Sequence, residues 1–229
     1  MGSEACRAIE NDPELELVAR VGREDPLSAL TDAGAEVAVE LSTPASVKDN
    51  VRFCLSHGIH CVVGATGLTD EDLDEVRAWC RDGGANAFVA PNFALGAVLM
   101  MSFAATAARH FDTAEIVERH HERKLDAPSG TALRTARLMG EARAGRPFST
   151  PASDDPSRGL AADGVRIHSL RLPGSVAHQE VVLGAAGETL TIRHDSTDRA
   201  SFMPGVLLAV KKVPGLDGLV VGLERLLGL

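Results

Sequence analysis

The sequence of 229 residues is 45% hydrophobic and 24% charged, a composition typical of a globular protein with one large core or two modest ones. Its formal net charge of −9 argues against nucleic acid or an anionic membrane as a bulk partner, but leaves room for a local basic pocket that binds an anionic metabolite. The longest apolar stretch, residues 94–108, is too short to span a bilayer, and four cysteines without Cys-x-x-Cys spacing indicate reduced thiols in a cytoplasmic protein.

The first half of the chain alternates strand-like and helix-like segments. It opens on residues that look like the start of a helix. Strands are predicted at 15–21, which alternates at period two, and at 36–41, 59–64 and 86–90. Helices are predicted at 44–57, which ends before Gly58, and from Thr69, which is suited to cap the helix that follows. This order predicts a parallel sheet with crossover helices.

The second half follows a different pattern. A long helix at 95–111 precedes a short strand at 114–119, a helix from about Ser129 to 144 and a loop rich in Pro, Ser, Asp and Gly at 146–164. A strand at 165–171 follows, and 178–183 with 189–195 predicts an antiparallel hairpin. The last segment, from 199 onward, has helical spacing. The pattern predicts a second domain with a mixed sheet.

Residues 116–131 gather the groups that suit proton transfer to an anionic substrate. Two imidazoles, His120 and His121, are followed by the ammonium group of Lys124 and by a Ser-Gly-Thr turn at 129–131. A helix rarely runs through Pro128, so we expect a strand that ends in a loop and a new helix from Ser129. Amide groups at that helix start would face the loop and bind an anion. The segment therefore predicts a site for a carboxylate substrate that needs a proton.

Other readings of these polar residues are less well supported by their spacing. A metal site would draw on Glu118, His120, His121, His178 and His194, but no His-x-x-x-His or Cys/His cluster accompanies them, so no metal is expected. His168, His178 and His194 fall on strand patterns and are expected to be hydrogen-bonded structural residues. Ser129 lacks a nucleophile-elbow motif and is explained as a helix cap.

The central segment resembles the signature of the dihydrodipicolinate reductase family, in its actinobacterial form. Glu118, His120, His121, Lys124 and residues 126–131 match that signature in register. Similar stretches extend along the chain, at 62–67, 90–93, 178–181, 190–194 and 199–202. The resemblance implies a Rossmann-like dinucleotide-binding domain at 1–93 and 203–229, and a substrate-binding and oligomerisation domain of α+β class at 94–202.

The resemblance also implies an activity and its residues. It is the NAD(P)H-dependent reduction of 4-hydroxy-tetrahydrodipicolinate, a cyclic imine dicarboxylate, to tetrahydrodipicolinate in the diaminopimelate route to lysine, carried out by a homotetramer. His120 and Lys124 would supply the proton, and His121, Gly130 and Thr131 would hold the carboxylates. The residues expected to bind NADPH or NADH are Met1, Gly2, Gly64, Ala65, Thr66, Ala90, Pro91, Asn92 and Phe93.

Two departures from the family pattern concern the cofactor. Gly2 matches the last glycine of the family's dinucleotide-binding turn, and the strand and two glycines expected ahead of it are not in this sequence. This predicts poor folding or weak dinucleotide binding, and leaves open a truncated, non-catalytic homologue that binds the dicarboxylate alone. Where an acid usually holds the cofactor ribose, the chain has Ala-Arg-Val-Gly-Arg at 19–23, with Glu24 and Asp25 slightly later. Arg20 and Arg23 could instead face the 2′-phosphate of NADPH, or be solvated surface residues, so the preference between NADPH and NADH stays open.

Overall fold

A computed structural model describes residues 1–150 and 155–229, which form two compact units. The first unit comprises Met1–Leu95 and Phe202–Leu229, and the second comprises Gly96–Ser201. Over the described residues no helix has the length and apolarity needed to cross a membrane. Fold class is confirmed: one unit contains a parallel sheet and the other a mixed sheet.

The first unit is built on a four-stranded parallel sheet. Its strands are β1 (Val37–Glu40), β2 (His60–Val63), β3 (Ala87–Val89) and β9 (Leu219–Val221), paired in that order. Its helices are α1 (Gly2–Glu10), α2 (Ser28–Asp32), α3 (Val47–Ser56), α4 (Asp70–Gly83), α7 (Met203–Lys212) and α8 (Leu223–Leu227). Residues 61–63 of the inner strand β2 are fully buried, which explains their unbroken apolar sequence.

Helix α4 begins where the sequence predicts, directly after Thr69. The Thr69 hydroxyl accepts a hydrogen bond from the Asp72 amide while the Asp72 carboxylate accepts one from the Thr69 amide, which forms a capping box. Gly84 ends the helix with a φ of 67°, in the left-handed region that glycine adopts without strain. The buried stripe of this helix packs with α3 against β2.

The predicted strand at 15–21 is wrong. Its side chains alternate between half-buried and exposed, as its sequence alternates, yet the segment has no strand assignment in the described chain. A strand needs a hydrogen-bonded neighbour as well as a periodic pattern. The four described strands of this sheet pair with one another, and none pairs with this segment. The fourth strand of the sheet is instead β9, which comes from the end of the chain and was not predicted.

The second unit contains a five-stranded sheet in the order β5-β6-β4-β7-β8. These strands are β4 (Thr113–His120), β5 (Leu160–Ala162), β6 (Val165–Arg171), β7 (Ala177–Ala185) and β8 (Glu188–Ser196). Strands β4 and β6 are parallel and the other pairs are antiparallel. Helix α6 (Gly130–Ala142) packs on β4, β5 and β6, and α5 (Leu95–Ala108) precedes β4.

The prediction of a loop at 146–164 is partly wrong. Residues 151–154 of it lie outside the described residues. The remainder contains a 3₁₀ turn at Pro156–Arg158 and the edge strand β5, whose three residues are too few for a periodic pattern to reveal. The helices and the hairpin predicted on either side of this loop are confirmed.

Candidate active site

Strand β4 carries a charged residue on its buried face. Along this strand the even-numbered residues Ala114, Ile116 and Glu118 are buried, as the alternation of side chains in a strand requires. The strand ends at His120, and its parallel partner β6 ends at Arg171, the residue in register with His120. His120 and Arg171 therefore lie side by side on the same face as Glu118.

The Glu118 carboxylate is the centre of a hydrogen-bonded cluster. Its Oε2 atom lies 2.6 Å from His120 Nδ1 and 2.9 Å from one Arg171 guanidinium nitrogen. Its Oε1 atom accepts from the other guanidinium nitrogen at 2.9 Å and from the Ser129 amide at 3.2 Å. The side chain of Glu118 is 0% exposed and that of Arg171 is 18% exposed. This is a bidentate, largely buried ion pair in which both carboxylate oxygens are used.

The electrostatics of the cluster favour an ionised Glu118. Burial alone would raise the pKa of this carboxyl group, because charge is poorly solvated inside the protein. Hydrogen bonds from His120, Arg171 and Ser169 outweigh burial and lower the pKa of Glu118 to about 2. The Glu118 carboxylate next to His120 is therefore ionised at neutral pH.

The loop after β4, which contains Lys124, is bound to the same cluster through Arg171. Arg171 donates hydrogen bonds to the backbone carbonyls of Lys124 and Asp126, which ties the loop to the end of β6. The Lys124 ammonium lies 2.7 Å from both carboxylate oxygens of Asp126. This hydrogen bond lowers the pKa of Asp126. His120 and Lys124, the two proposed proton donors, are thus linked through Arg171.

The start of α6 forms the next part of the site. Ser129 caps the helix, since its hydroxyl accepts from the Ala132 amide at 3.2 Å, as its sequence predicts. Gly130 is exposed, and a Cβ atom placed on it would have no atom within 4 Å beyond its chain neighbours and the backbone of its own helix. Amides in the first turn of a helix have no carbonyl of that helix to bind. Gly130 and Thr131 therefore stand at an open helix start that suits a carboxylate.

His121 follows the end of β4 and begins a turn in which its carbonyl accepts from the Lys124 amide at 3.1 Å. Its Nδ1 atom is buried and has no hydrogen-bond partner among the described residues. A buried polar atom without a partner is costly, so a ligand or water is expected to satisfy it. The histidines on other strands are different: His168 and His178 bind the carboxylates of Glu115 and Asp195.

The expected cofactor residues in the first unit lie mainly at the carboxyl ends of its parallel strands. The Gly64 amide donates to the Glu40 carbonyl, and the Ala90 amide donates to the Val63 carbonyl, so the loops after β2 and β3 are neighbours. This places Gly64, Ala65 and Thr66 beside the segment containing Ala90, Pro91, Asn92 and Phe93. Met1 and Gly2 stand apart in sequence, at the start of α1, which packs on α7.

Gly64 is required by close packing. A Cβ atom at this position would lie 2.6 Å from Cε2 of Phe93 and 2.7 Å from Cδ2 of Leu41. We expect Gly64→Ala to lower the free energy of unfolding by about 1–3 kcal/mol, since the buried Phe93 ring has little room to move. Gly215→Ala is the control, because a Cβ there meets no atom within 4 Å. Urea titration of both variants measures the difference, and an equal loss would contradict the packing argument.

Sequence reasoning did not identify Arg171. It fell inside a correctly predicted strand, but nothing local indicates that β6 pairs in parallel with β4 and ends beside His120. Glu118 was noted only as part of the signature and as a possible metal ligand. In the part of the chain that the structure describes, no group of three His, Cys, Asp or Glu side chains is placed to hold a metal ion.

Comparisons with known proteins show the family of this chain. The family model described as "Dihydrodipicolinate reductase, N-terminus" matches residues 1–93, and the one described as "Dihydrodipicolinate reductase, C-terminus" matches residues 96–227. The 4-hydroxy-tetrahydrodipicolinate reductase of Streptomyces griseus is 54% identical over 100% of this chain and 94% of that protein. Its counterpart in Mycolicibacterium vanbaalenii is 52% identical over 100% and 95%. A dipicolinate-bound dihydrodipicolinate reductase from Paenisporosarcina sp. TG-14 superimposes with a TM-score of 0.85 at 37% identity, covering 98% of this chain and 94% of that one.

Proposed function

Because the chain belongs to the dihydrodipicolinate reductase family, we propose that His120 and Lys124 protonate a cyclic imine dicarboxylate while it is reduced. The activity is that of a 4-hydroxy-tetrahydrodipicolinate reductase, an oxidoreductase of lysine biosynthesis. The observation that carries the site assignment is the Glu118–Arg171 ion pair. It holds His120, the Lys124 loop and the start of α6 at one point.

The proton is needed where reduction builds negative charge. Addition of a hydride to an unsaturated imine leaves electron density that a proton must neutralise, and His120 and Lys124 are the acids at this place. Positioned proton transfer typically contributes about 10²–10⁴-fold to a rate. Reduction of 4-hydroxy-tetrahydrodipicolinate to tetrahydrodipicolinate also releases water. Both acids are partly exposed, with side chains 13% and 22% accessible, so a substrate can reach them.

The substrate carboxylates are assigned to His121, Gly130 and Thr131. The open start of α6 offers amide donors and the favourable end of the helix dipole. The unpartnered Nδ1 atom of His121 offers one more polar contact. The solved relative from Paenisporosarcina is bound to dipicolinate, a pyridine dicarboxylate, which is the class of ligand proposed for this chain.

The cofactor of this family is NAD(P)H, and the residues of the first unit fit a dinucleotide. Gly64 lets the backbone run close to Phe93, and the loops after β2 and β3 meet at the strand ends where such sheets bind ligands. We assign Met1, Gly2, Gly64 to Thr66 and Ala90 to Phe93 to its binding. When bound, the cofactor supplies the hydride. Both NADPH and NADH are expected to serve.

Isothermal titration tests this proposal. We expect separate titrations with NADPH, NADH and a pyridine dicarboxylate each to show binding. A chain that bound the dicarboxylate and neither cofactor would be the non-catalytic homologue, and the proposal would fail.

The choice between the cofactors is tested at Arg20. Its side chain is 60% exposed and pairs with the half-exposed Glu10. Such a surface pair is weak, so the guanidinium can exchange it for a 2′-phosphate. If it does so, Arg20→Ala or Arg23→Ala lowers kcat/KM for NADPH and leaves that for NADH unchanged. If the ratio of kcat/KM for NADPH to kcat/KM for NADH is the same in both variants as in the wild-type protein, these arginines are solvated surface residues.

We also propose that the chain forms a homotetramer in the cytoplasm. The face of the second sheet opposite α6 carries Val117 and Leu170, and Leu170 is 39% exposed, which suits contact with another copy. Its cysteines are free thiols, as expected in a reducing compartment. Sedimentation equilibrium is expected to give four times the chain mass of 24.1 kDa, and a monomeric mass would refute the assembly.

A further inference from the structure

Glu118 occupies a position that a hydrophobic residue would normally fill. Its neighbours on the buried face of β4, Ala114 and Ile116, are apolar, and its own side chain is 0% exposed. A buried charge is costly unless it is paired and hydrogen-bonded, and replacing such pairs by apolar residues is often neutral or stabilising. A role in stability is therefore a weak explanation for this carboxylate.

The contact with His120 has a definite chemical consequence. An ionised carboxylate accepts hydrogen bonds and cannot donate them, so the hydrogen between Glu118 Oε2 and His120 Nδ1 belongs to the imidazole. In the neutral ring this leaves Nε2 without a hydrogen. In the protonated ring it makes Nε2–H the proton that is available to leave.

The other partners of Glu118 prevent it from turning away. Arg171 binds both carboxylate oxygens at 2.9 Å from β6, and the Ser129 amide binds Oε1 at 3.2 Å from the start of α6. Ser169, also on β6, is a further hydrogen-bond donor to the carboxylate. The Lys124 ammonium is held by the Asp126 carboxylate at 2.7 Å. Among the described residues, His120 uses Nδ1 to bind Glu118 and keeps Nε2 for a substrate.

We propose that Glu118 is the positioning residue of this site, which fixes the tautomer of His120 so that Nε2 delivers the proton to the substrate. With Arg171 it also holds the Lys124 loop and the start of α6 in place. The inference rests on the proposed function, in which His120 is an acid. It adds the nitrogen that acts and the residue that selects it.

The same strand provides a matched control. Glu115, three residues earlier and on the opposite face of β4, also binds a histidine and an arginine. Its Oε2 atom lies 2.7 Å from His168 Nε2, and its other oxygen pairs with Arg158. Glu115→Gln therefore removes the same kind of charge from the same kind of cluster, outside the proposed site.

The first test uses the unmodified protein. Nitrogen-15 NMR of histidine-labelled protein, at a pH where the ring is neutral, distinguishes a hydrogen on Nδ1 from one on Nε2. The His120 signal is identified among the eight histidines by its loss in His120→Gln. We expect the Nδ1–H form, which is the minor form of free histidine. An Nε2–H form would overturn the proposal without reference to turnover.

The second test compares the two glutamate variants. Glu118→Gln is expected to lower kcat about 10²-fold, to change the binding of a pyridine dicarboxylate only a few-fold, and to move His120 toward the Nε2–H form. Glu115→Gln is expected to keep the wild-type kcat and His120 signal, at the same solution mass. If Glu118→Gln folds, binds the mimic and matches Glu115→Gln in kcat, the proposal fails. Absence of turnover in the wild-type protein would instead refute the proposed function and leave the tautomer result standing.

Discussion

Replacing His120 with glutamine is expected to lower kcat about 10²–10⁴-fold, with KM for the dicarboxylate changed only a few-fold. The proton is required chiefly in the transition state, so its loss affects kcat more than ground-state binding. Glutamine keeps a polar group of similar reach next to Glu118, but its amide is not an acid and cannot transfer a proton to the substrate. Steady-state kinetics with the cofactor saturating measures both constants.

His168→Gln is the control for this substitution. His168 is also a strand histidine bound to a glutamate, at 2.7 Å from Glu115, but it lies on the other face of the sheet. Its replacement is expected to leave kcat within a few-fold of the wild-type value. If His120→Gln is folded, binds the pyridine dicarboxylate and turns over at the same rate as His168→Gln, then His120 is not the acid.

Replacing Arg171 with methionine is expected to lower the free energy of unfolding by about 3 kcal/mol. Methionine fills much of the volume, but the Glu118 carboxylate is left buried with its two guanidinium hydrogen bonds removed. Arg193→Met is the control, because the Arg193 side chain is 53% exposed and its pair with Asp195 is of the exposed kind that contributes about 0–1 kcal/mol. An equal loss of unfolding free energy in the two variants would mean that the buried Glu118–Arg171 pair stabilises the protein no more than an exposed pair does.

Acid provides an independent measurement of the same pair. The pKa of Glu118 is lowered in the folded protein to about 2, so its stabilising contribution is complete above the unfolded value of about 4.3. It is lost as the pH falls from there toward 2. We expect the loss of stability over this range to be smaller in Arg171→Met than in the wild-type protein, because the partner that lowers the pKa is gone. An identical acid dependence would contradict this.

Much of the fold could be predicted because its signals are local. Thr69 and Asp72 form the capping box of α4, and Ser129 caps α6. Each of these helix starts is specified by residues within four positions of one another. The buried strands β2 and β3 were recognisable as short apolar runs with turns on either side. The period-two alternation at 15–21 led to a wrong strand prediction. Such a pattern shows which side chains can be buried, but not whether a neighbouring strand is present.

The site could be predicted only in part, for the same physical reason. His120, Lys124, Gly130 and Thr131 lie within one segment, so their proximity follows from the chain itself. Arg171 is 53 residues from Glu118, and its place depends on parallel pairing between β4 and β6. Long-range pairing of this kind leaves no periodic or capping signal in either strand. The residue that joins the parts of the site was therefore visible only in three dimensions.

Reduction of 4-hydroxy-tetrahydrodipicolinate by this chain can be followed directly. NADPH or NADH is added with the substrate, cofactor oxidation is followed by absorbance, and tetrahydrodipicolinate is counted by mass spectrometry. We predict one cofactor oxidised for each product molecule in the wild-type protein, and a rate about 10²–10⁴-fold lower in His120→Gln. A folded chain that binds the pyridine dicarboxylate yet forms no product with either cofactor would contradict the assigned activity.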